Sequence, residues 1–370
     1  MIKILHFELD KNVGGIESFL CNMYSEIDRN NFQFDFVTRC EHPAKEKELH
    51  ALGAHIYKVS SQKNILAYMK DIRTIIGNGY DIIHIHKNSA ANIIPFIVAA
   101  YSDKQTKVVA HSHNTAPSVG GFTPILHTIN RPILWKLSDA HLACSNMAGE
   151  WLYGRNRKFQ VISNGIITKK YIYNEEINNE LRRTLDIPES AYVIGNIGRF
   201  TMQKNHKYLI QIFYELCKVN TNYYLVLVGD GPQKVEMESY AKELGIISNI
   251  RFLGVRSDIN SILQIMDIFI MTSLYEGLPI VSVEAQAAGM NLFLSDTISK
   301  ESELTSYVNW FSLDDNILKL RDWILKTPKL TSDIKKMMNE QVKNKGFDAN
   351  LSAKKLEKLY YNLKNDKEKE

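Results

Sequence analysis

The sequence predicts an α/β protein with two Rossmann-like, doubly wound domains that face an interdomain cleft. Short apolar runs of strand length alternate with segments of helical periodicity along the chain, which is typical of parallel sheets covered by helices. The chain has 370 residues, and a chain of this length normally divides into two hydrophobic cores. The turn sequence Ser163-Asn164-Gly165 lies near the middle of the chain and predicts the domain boundary.

The first half of the chain contains seven predicted strands and three predicted helices. Each strand is a short apolar run, whereas each helix has apolar residues three or four positions apart. The strands span residues 2–7, 34–37, 56–59, 81–86, 107–114, 140–144 and 160–162, and the helices span residues 16–27, 65–76 and 92–101. The alternation predicts a parallel sheet.

The second half repeats this plan. Its predicted strands span residues 192–198, 223–228, 250–254, 267–271 and 291–294, and its predicted helices follow Lys204, span residues 259–266, and begin near Pro279. We therefore assign residues 1–165 to an N-terminal domain and residues 166–348 to a C-terminal domain. The last predicted helix, at about 349–363, is expected to pack back on the N-terminal domain.

The composition excludes several classes of protein. The longest apolar run, residues 93–101, has nine residues and contains Pro95, against about 20 needed to span a bilayer. The chain begins with a strand and lacks the order of a signal peptide, and its four cysteines form no Cys-x-x-Cys pair. We therefore expect a cytoplasmic protein with reduced thiols. No basic run or aromatic-basic pattern indicates nucleic acid binding.

The charge of the chain is unevenly placed. Up to Gly165 there are 18 Lys and Arg against 14 Asp and Glu, whereas the remainder balances at 27 against 27. A basic N-terminal domain would be attracted to an anionic membrane surface or to an acidic acceptor. The alternative is a solvated surface without a partner. Ten of the eleven histidines also precede Gly165.

Residues 271–289 are predicted to lead from a buried strand through a loop into a helix. Pro279 suits the first helical turn, and the amides between Gly277 and Ile280 would face an anion. Glu276 precedes the helix and Glu284 lies about one turn inside it. Two carboxylates therefore flank a predicted phosphate site, which suits a ligand with hydroxyl groups on both sides of phosphate.

A second loop between a strand and a helix carries Arg199 and Lys204. Two cations there could hold a diphosphate and stabilise its charge as it leaves. The glycine motifs around Gly195 and Gly229 do not form Gly-x-Gly-x-x-Gly, which disfavours an NAD enzyme. The sequence has no Asp-x-Asp triplet, so we expect no metal ion.

The N-terminal half offers two further candidate sites. Gly14 and Gly15 open a helix after the first strand, where backbone could approach phosphate closely. His111 and His113 end a strand, the position at which such sheets carry function. The loop that follows, residues 115–128, is expected to contribute to acceptor choice.

In this order and spacing, the motifs resemble the retaining glycosyltransferases of the GT-B fold, family 4, and among them the bacterial enzymes of exopolysaccharide and capsule assembly. The resemblance covers nearly the whole chain. The matching segments are Gly14-Gly15-Ile16-Glu17, His84-Ile85-His86, His111-Ser112-His113-Asn114, Ser163-Asn164-Gly165-Ile166, Gly198-Arg199 with Lys204, Gly229-Asp230-Gly231-Pro232, and Glu276-Gly277-Leu278-Pro279-Ile280 through Glu284.

The resemblance implies donor-binding roles for the C-terminal motifs. Glu284 would bind the ribose hydroxyls, and Glu276 would contact the donor sugar. Arg199 and Lys204 would bind the diphosphate together with the amides of the loop formed by Gly277, Leu278, Pro279 and Ile280. Gly229 and Gly231 would border the base. Arg199, Lys204, Glu276 and His111 form the implied catalytic set.

The resemblance also implies roles for the N-terminal motifs. Gly15 would approach the donor phosphate, and His111 would contact the donor sugar. Gly14, His113 and Asn114 are the implied acceptor-side residues.

The implied reaction moves a sugar from a nucleoside diphosphate sugar, with UDP as the expected nucleotide, to a hydroxyl of a glycan or lipid-linked acceptor. Retention by double displacement needs a carboxylate nucleophile, and the motifs place none beneath the sugar. The resemblance implies same-face attack instead, in which the leaving phosphate takes the acceptor proton. No cofactor is expected, and a lipid-linked acceptor would place the protein on the inner face of the cell membrane.

Two other functions remain open from the sequence. Nucleotide-sugar epimerases share the expected fold and invert a sugar without an acceptor. A non-catalytic subunit could bind a nucleotide sugar in support of a partner. The Gly-Gly loop and the spacing of Glu276 and Glu284 favour a transferase.

Overall fold

The structure, a computed structural model, describes residues 1–12, 14–102, 105–114 and 123–365. The chain forms two compact units: the first comprises Met1–Ile166 and Gly346–Glu370, and the second comprises Ile167–Lys345. The sequence placed the boundary after Gly165 and the return at residue 349, whereas the structure places them after Ile166 and at Gly346.

The first unit contains a seven-stranded sheet in which neighbouring strands pair in parallel. Its strands are β1 (Ile2–Leu9), β2 (Phe32–Thr38), β3 (Ile56–Lys58), β4 (Ile82–Lys87), β5 (Lys107–Ser112), β6 (Ala140–Ala143) and β7 (Gln160–Val161). The spatial order is β3-β2-β1-β4-β5-β6-β7. The order therefore reverses between β1 and β4, and ligands of open α/β sheets bind at such a switch point.

The helices of the first unit cover this sheet. They are α1 (Gly15–Glu26), α2 (Glu46–Ala51), α3 (Ile65–Ile76), α4 (Ile94–Ser102), α5 (Thr123–Lys136), α6 (Asn146–Tyr153) and, from the end of the chain, α14 (Ala349–Asn365). Tyr360 and Leu356 of α14 are buried, and Tyr360 contacts Phe32 and Phe34 of β2. The last helix therefore completes the core of the first unit.

The second unit contains a six-stranded parallel sheet. Its strands are β8 (Tyr192–Ile197), β9 (Tyr223–Val228), β10 (Ile250–Phe252), β11 (Ile268–Met271), β12 (Asn291–Ser295) and β13 (Val308–Phe311). The spatial order is β10-β9-β8-β11-β12-β13, with a switch point between β8 and β11. Its helices are α7 (Glu175–Thr184), α8 (His206–Cys217), α9 (Lys234–Glu243), α10 (Ile259–Gln264), α11 (Ile280–Ala287), α12 (Ile317–Lys326) and α13 (Ser332–Val342).

Each unit has its own hydrophobic core between sheet and helices. In the first unit, Leu5, Ile83 and Val108 of three strands pack with residues of α3 and α4. In the second unit, Ile194 and Ile270 of β8 and β11 belong to a core that includes residues of α8 and α12. Strands of a parallel sheet are covered on both faces, which explains the nearly continuous apolar runs in the sequence. The predicted fold, two parallel-sheet Rossmann-like domains, is confirmed.

None of the helices within the described ranges is long and apolar enough to cross a lipid bilayer.

Candidate functional site

Two loops of the second unit meet at its switch point. One follows β8 and carries Arg199 and Lys204; the other follows β11 and carries Glu276. The amide of Leu274 donates to the carbonyl oxygen of Gln203 at 2.7 Å, and the Thr272 hydroxyl donates to that of Lys204 at 3.1 Å. These bonds hold the two loops together at the carboxyl edge of the sheet.

The best-defined charge contact of this site joins two predicted catalytic residues. Lys204 Nζ lies 2.6 Å from Glu276 Oε1, and the two side chains are only 18% and 13% exposed. Water therefore screens this ion pair less than a surface pair. Arg199 is exposed, and its side chain has no hydrogen bond or ion pair to any residue that the structure describes. A fixed cation, a fixed carboxylate and an accessible guanidinium thus lie on two adjoining loops.

Two glycines allow the loop after β9 to approach the loop after β8. Gly229 and Gly231 have φ values of +135° and +154°, which residues with a Cβ rarely adopt. A Cβ on Gly229 would lie 2.1 Å from the carbonyl oxygen of Gly198, and one on Gly231 would lie 2.5 Å from that of Phe200. The glycines therefore bring a third loop beside Arg199. From the sequence, we expect these two glycines to border the base of the nucleotide.

Helix α11 begins beside Glu276. Pro279 is its N-cap residue, one position earlier than the first helical turn that the sequence predicted. The first amides of a helix have no intrahelical acceptor, although the amide of Ser282 bonds to the carbonyl oxygen of Pro279. Gly277, Leu278 and Ile280 lie partly exposed around this helix start. The positive end of the helix dipole therefore adjoins Lys204 and favours an anion there.

Glu284, the fifth residue of α11, is held by a tyrosine that the sequence analysis missed. The Tyr171 hydroxyl donates to Glu284 Oε1 at 2.7 Å. Burial raises the pKa of Tyr171, and the Glu284 carboxylate raises it further, so the tyrosine remains a hydrogen-bond donor. Tyr171 lies in a single 3-10 turn, Thr168–Tyr171, and no pattern in the sequence indicated its role.

The first unit has its own group of predicted residues at its switch point. Gly14 and Gly15 are exposed at the start of α1, directly after the loop that follows β1. The carboxylate of Glu17 accepts hydrogen bonds from the amides of Asp10 and Gly14 at 3.1 and 3.0 Å. Burial raises the pKa of Glu17, whereas these backbone bonds lower it. Glu17 thus shapes the glycine loop without facing outward.

Beside this loop, five histidines on β1, β4 and β5 and directly after β5 form a buried group, which we call the histidine cluster: His6, His84, His86, His111 and His113. His6 pairs in register with His84, and His86 with His111, so the rings project from one face of the sheet. Four of the rings are at most 1% exposed, and His113 is half-buried.

Two chains of hydrogen bonds run through the cluster. His84 Nδ1 lies 2.7 Å from the Tyr360 hydroxyl, and His84 Nε2 lies 3.1 Å from His111 Nδ1. In the second chain, His86 Nε2 lies 3.0 Å from His6 Nδ1, and His86 Nδ1 lies 2.8 Å from His113 Nε2. His84 and His86 each form hydrogen bonds through both ring nitrogens. In a neutral chain, each of these rings carries one proton, so one nitrogen donates and the other accepts.

Burial is the main cause of the low pKa values in the cluster. It lowers the pKa of His6 and of His113 to about 3, although a hydrogen bond to Asn164 raises that of His113 slightly. Burial lowers the pKa of His84, His86 and His111 well below 6.5, and neighbouring histidines add to this effect. All five imidazoles are therefore neutral at pH 7.

The histidine cluster also has spacings that suit a metal ion. The ligand atoms of His6, His84 and His86 lie within 4.8 Å of one another, as do those of His86, His111 and His113. Neutral imidazoles are good ligands for transition metals. However, most of these nitrogens already form hydrogen bonds within the cluster, and no carboxylate of the described residues joins either group to balance a dication. The arrangement fits hydrogen-bonded rings better than a metal centre.

The predicted site residues of the first unit differ in their exposure. The His111 ring is fully buried, and its Nε2 has no hydrogen-bond partner within the described part of the chain. His113 and Asn114, the two residues after β5, are partly exposed. Most of the loop predicted to influence acceptor choice, residues 115–122 of 115–128, lies outside the described residues.

Two family models match the chain, each over one half. The model described as Glycosyltransferase Family 4 matches residues 13–170, and the model described as Glycosyl transferases group 1 matches residues 177–345. These matches confirm the resemblance on which the expected site residues depend.

Similar proteins extend this match over the full length. "Putative glycosyltransferase EpsF" of Bacillus subtilis (strain 168) is 30% identical over 378 residues, which cover 99% of this chain and 98% of that protein. The UDP-Gal:alpha-D-GlcNAc-diphosphoundecaprenol alpha-1,3-galactosyltransferase of Escherichia coli is 23% identical over 381 residues, which cover 98% of this chain and 97% of that protein.

A solved structure shares the fold. Anabaena Alr3699/HepE, solved in complex with UDP-glucose, has a TM-score of 0.76 at 19% identity, covering 98% of this chain and 100% of that chain. From the two family matches and the 30% identity over almost both full lengths, the chain belongs to the family 4, group 1 glycosyltransferases, which have the GT-B fold.

Proposed function

We propose that this glycosyltransferase moves a sugar, with retention, from a UDP-sugar to a hydroxyl of a glycan or lipid-linked acceptor in cell-surface polysaccharide synthesis. The observation that carries the proposal is the contact between Lys204 and Glu276 beside the start of α11. The names of the relatives support it, since one is a UDP-galactose-dependent transferase acting on a diphosphoundecaprenol-linked sugar and another a capsular polysaccharide glycosyltransferase.

In this proposal the diphosphate lies against the positive groups of the second unit. Lys204 is fixed by its ion pair, and Arg199 is exposed and able to reach a ligand. The amides of Leu278 and Ile280 add the positive end of α11. These groups stabilise the negative charge that develops on the leaving UDP, and no metal ion is needed for that purpose.

The two carboxylates then define the ends of the donor. Glu284 receives the ribose hydroxyls, oriented by the hydroxyl of Tyr171. Glu276 receives a hydroxyl of the sugar, and its ion pair with Lys204 holds that carboxylate in place. The base lies beside Gly229 and Gly231, where a side chain would meet backbone. A hexose or an N-acetylhexosamine fits these roles equally.

Retention follows from same-face attack. The bond from the anomeric carbon to the diphosphate oxygen breaks while the acceptor oxygen bonds to the same face of that carbon. The acceptor proton passes to the departing phosphate oxygen, so no protein nucleophile is required. The Escherichia coli relative is named as an alpha-1,3-galactosyltransferase that uses UDP-Gal, a donor whose sugar is itself α-linked.

Incubation with UDP-glucose, UDP-galactose or UDP-N-acetylglucosamine, one at a time, tests this proposal. We expect slow release of UDP from one donor through transfer to water, and faster release when the acceptor is added. Accumulation of the C2 epimer of UDP-N-acetylglucosamine, without UDP release, would support an epimerase instead. If Glu276→Ala and Arg199→Ala both left the activity of the pathway intact in cells, a non-catalytic role would be favoured.

We also propose that the first unit binds an anionic membrane surface through α5. Ile125, Ile129 and Ile133 are spaced by four residues and are 58%, 58% and 42% exposed, so they form an apolar stripe along one face of the helix. Lys136 at its end is exposed. Arg157 lies over the ring of Trp135 at 4.6 Å, which brings the basic loop at 155–158 beside the helix. Apolar insertion and basic flanks suit an anionic bilayer surface.

Sedimentation with vesicles tests the membrane proposal. Vesicles of phosphatidylglycerol and phosphatidylcholine should bind the protein in a salt-sensitive manner, and Ile129→Glu should weaken that binding roughly 10-fold or more because an apolar side chain is replaced by a charge. The matched control is Leu66→Glu on α3, at another exposed apolar position of the same unit. Equal binding by both variants, or binding indifferent to salt, would refute a docking role for α5.

A further inference from the structure

We propose that Tyr360, near the end of α14, sets the tautomer of His111 through His84, so that His111 presents a hydrogen-bond donor at Nε2. Tyr360 would thus be a positioning residue, and none of the sequence motifs included it. The inference about the tautomer depends only on the contacts of the first unit. Its catalytic consequence rests on the proposed function.

The Tyr360 hydroxyl is the only described member of this hydrogen-bond chain that is not an imidazole. The tyrosine is fully buried, and burial raises its pKa well above 10, so the hydroxyl keeps its proton at neutral pH. His84 Nδ1, at 2.7 Å, is the hydrogen-bond partner of this hydroxyl among the described residues. A buried hydroxyl normally donates its proton to an acceptor. Tyr360 therefore donates to His84 Nδ1, which must be unprotonated.

The proton positions then follow along the chain. Burial keeps His84 neutral, so a ring that is unprotonated at Nδ1 carries its proton at Nε2. His84 Nε2 lies 3.1 Å from His111 Nδ1 and donates to it. His111 is also neutral, and its proton must be on Nε2. That atom has no hydrogen-bond partner within the described residues.

The two directions of this chain leave different groups unsatisfied. If His111 Nδ1 donated to His84 and His84 Nδ1 donated to Tyr360, the buried Tyr360 proton would have no acceptor and His111 Nε2 would have no donor. In the proposed direction, the N–H of His111 lacks an acceptor and the Tyr360 oxygen lacks a donor among the described residues. Each direction leaves one donor and one acceptor unmet. A phenol is a strong donor and a weak acceptor, whereas an unprotonated imidazole nitrogen is a strong acceptor, so the bond from the Tyr360 hydroxyl to His84 Nδ1 favours the proposed direction.

The second chain of the cluster has no comparable terminal donor. It joins His6, His86 and His113, and its outer neighbour is Asn164, whose amide can donate or accept. The tautomers of this chain are therefore not fixed by the same argument. The first chain differs because it ends at Tyr360, whose hydroxyl has one proton and one acceptor.

Under the proposed function, this tautomer determines what His111 can do for the donor. An N–H at Nε2 can donate to an oxygen of the sugar or the phosphate, but it cannot take a proton from the acceptor. The neutral state also avoids a buried positive charge that would have to be desolvated again in each cycle. Tyr360→Phe removes the oxygen and leaves the ring, which packs against Phe32 and Phe34.

Long-range ¹H–¹⁵N spectra of histidine-labelled protein at pH 7.5 test the inference. We expect His84 and His111, assigned by loss of their signals in His84→Asn and His111→Asn, to be protonated at Nε2 alone. Tyr360→Phe should shift both towards a mixture that includes the Nδ1–H form. Tyr24→Phe is the matched control, since Tyr24 is fully buried and packs on Phe34 and Phe36; it should leave both spectra unchanged.

Wild-type spectra with His111 protonated at Nδ1 would overturn the inference, even if Tyr360→Phe failed to fold. A stoichiometric metal ion in the purified protein, with the rings as ligands, would also overturn it. In the activity assay, Tyr360→Phe should lower kcat about 10-fold with unchanged affinity for UDP. The spectra require no substrate, so the two proposals can fail separately. His84 and His111 protonated at Nε2, without UDP-sugar turnover, would refute the proposed function alone. Turnover with these rings protonated at Nδ1 would refute this inference alone.

Discussion

Lys204→Met is expected to lower kcat/KM for the UDP-sugar by about 100- to 1000-fold, in line with the loss of one charge-stabilising contact in other enzymes. The expectation follows from the position of Lys204, which is largely buried, fixed by its ion pair with Glu276 and adjacent to the start of α11. Charge grows on the diphosphate as the sugar leaves, and a preorganised ammonium stabilises the transition state more than the ground state. Steady-state kinetics of UDP release measure the effect.

Three variants give this measurement its controls. Lys207→Met removes an exposed lysine from α8 and should have little effect. Lys204→Arg should retain part of the activity because the charge remains. In the double variant Lys204→Met/Glu276→Gln, the unpaired carboxylate is also removed. If activity returned in the double variant, Lys204 would serve only to neutralise Glu276, and its assignment to the diphosphate would be wrong.

Acidification is expected to destabilise the first unit strongly between pH 6.5 and about 3. The five imidazoles of the histidine cluster are neutral when folded because burial lowers their pKa values, to about 3 for His6 and His113, whereas unfolded histidines titrate near 6.5. The unfolded chain therefore binds more protons in this range, so the stabilisation is complete above pH 6.5 and is lost as pH falls. Each histidine lowers the free energy of unfolding by about 1.4 kcal/mol for every pH unit of acidification. All five together lower it by about 7 kcal/mol per pH unit.

Urea unfolding at a series of pH values between 8 and 5 measures this loss of stability. Hydrogen exchange shows which unit loses its protection. A typical domain has only about 5–15 kcal/mol of stability, so the first unit should open before pH 5. His6→Asn should reduce the pH slope by about one histidine, and His42→Asn, which alters an exposed side chain, should not change it. A first unit equally stable at pH 8 and pH 5 would contradict the buried neutral cluster.

Most of the strands could be predicted from the sequence because they are buried on both faces. The predicted strand at 223–228 and helix at 65–76 have the bounds that the structure gives to β9 and α3. The helices α7, α12 and α13 were not predicted. Helices α7 and α13 carry few apolar residues, whereas six of the ten residues of α12 are apolar. The clearest signals of the three helices are the capping side chains of Asn174, Asn316 and Thr331, which a search for apolar periodicity overlooks.

The motif residues of the candidate site were recognisable in the sequence, but their contacts were not. Glu276 and Lys204 were assigned to different parts of one ligand, and the structure joins them directly. Tyr171 and Tyr360 act through Glu284 and His84, which lie 113 and 276 residues away in the chain. Periodicity and local spacing carry no information about such long-range pairs; only the packing of helices on sheets reveals them.

The most direct test of the proposed function is ¹H NMR of the products formed from UDP-glucose, UDP-galactose and UDP-N-acetylglucosamine in the presence of EDTA. We predict UDP together with a sugar or glycoside that first appears as the α-anomer, because same-face transfer retains the configuration of the donor. A β-anomer as the first product, a requirement for added magnesium, or a C2 epimer without released UDP would contradict the proposed function.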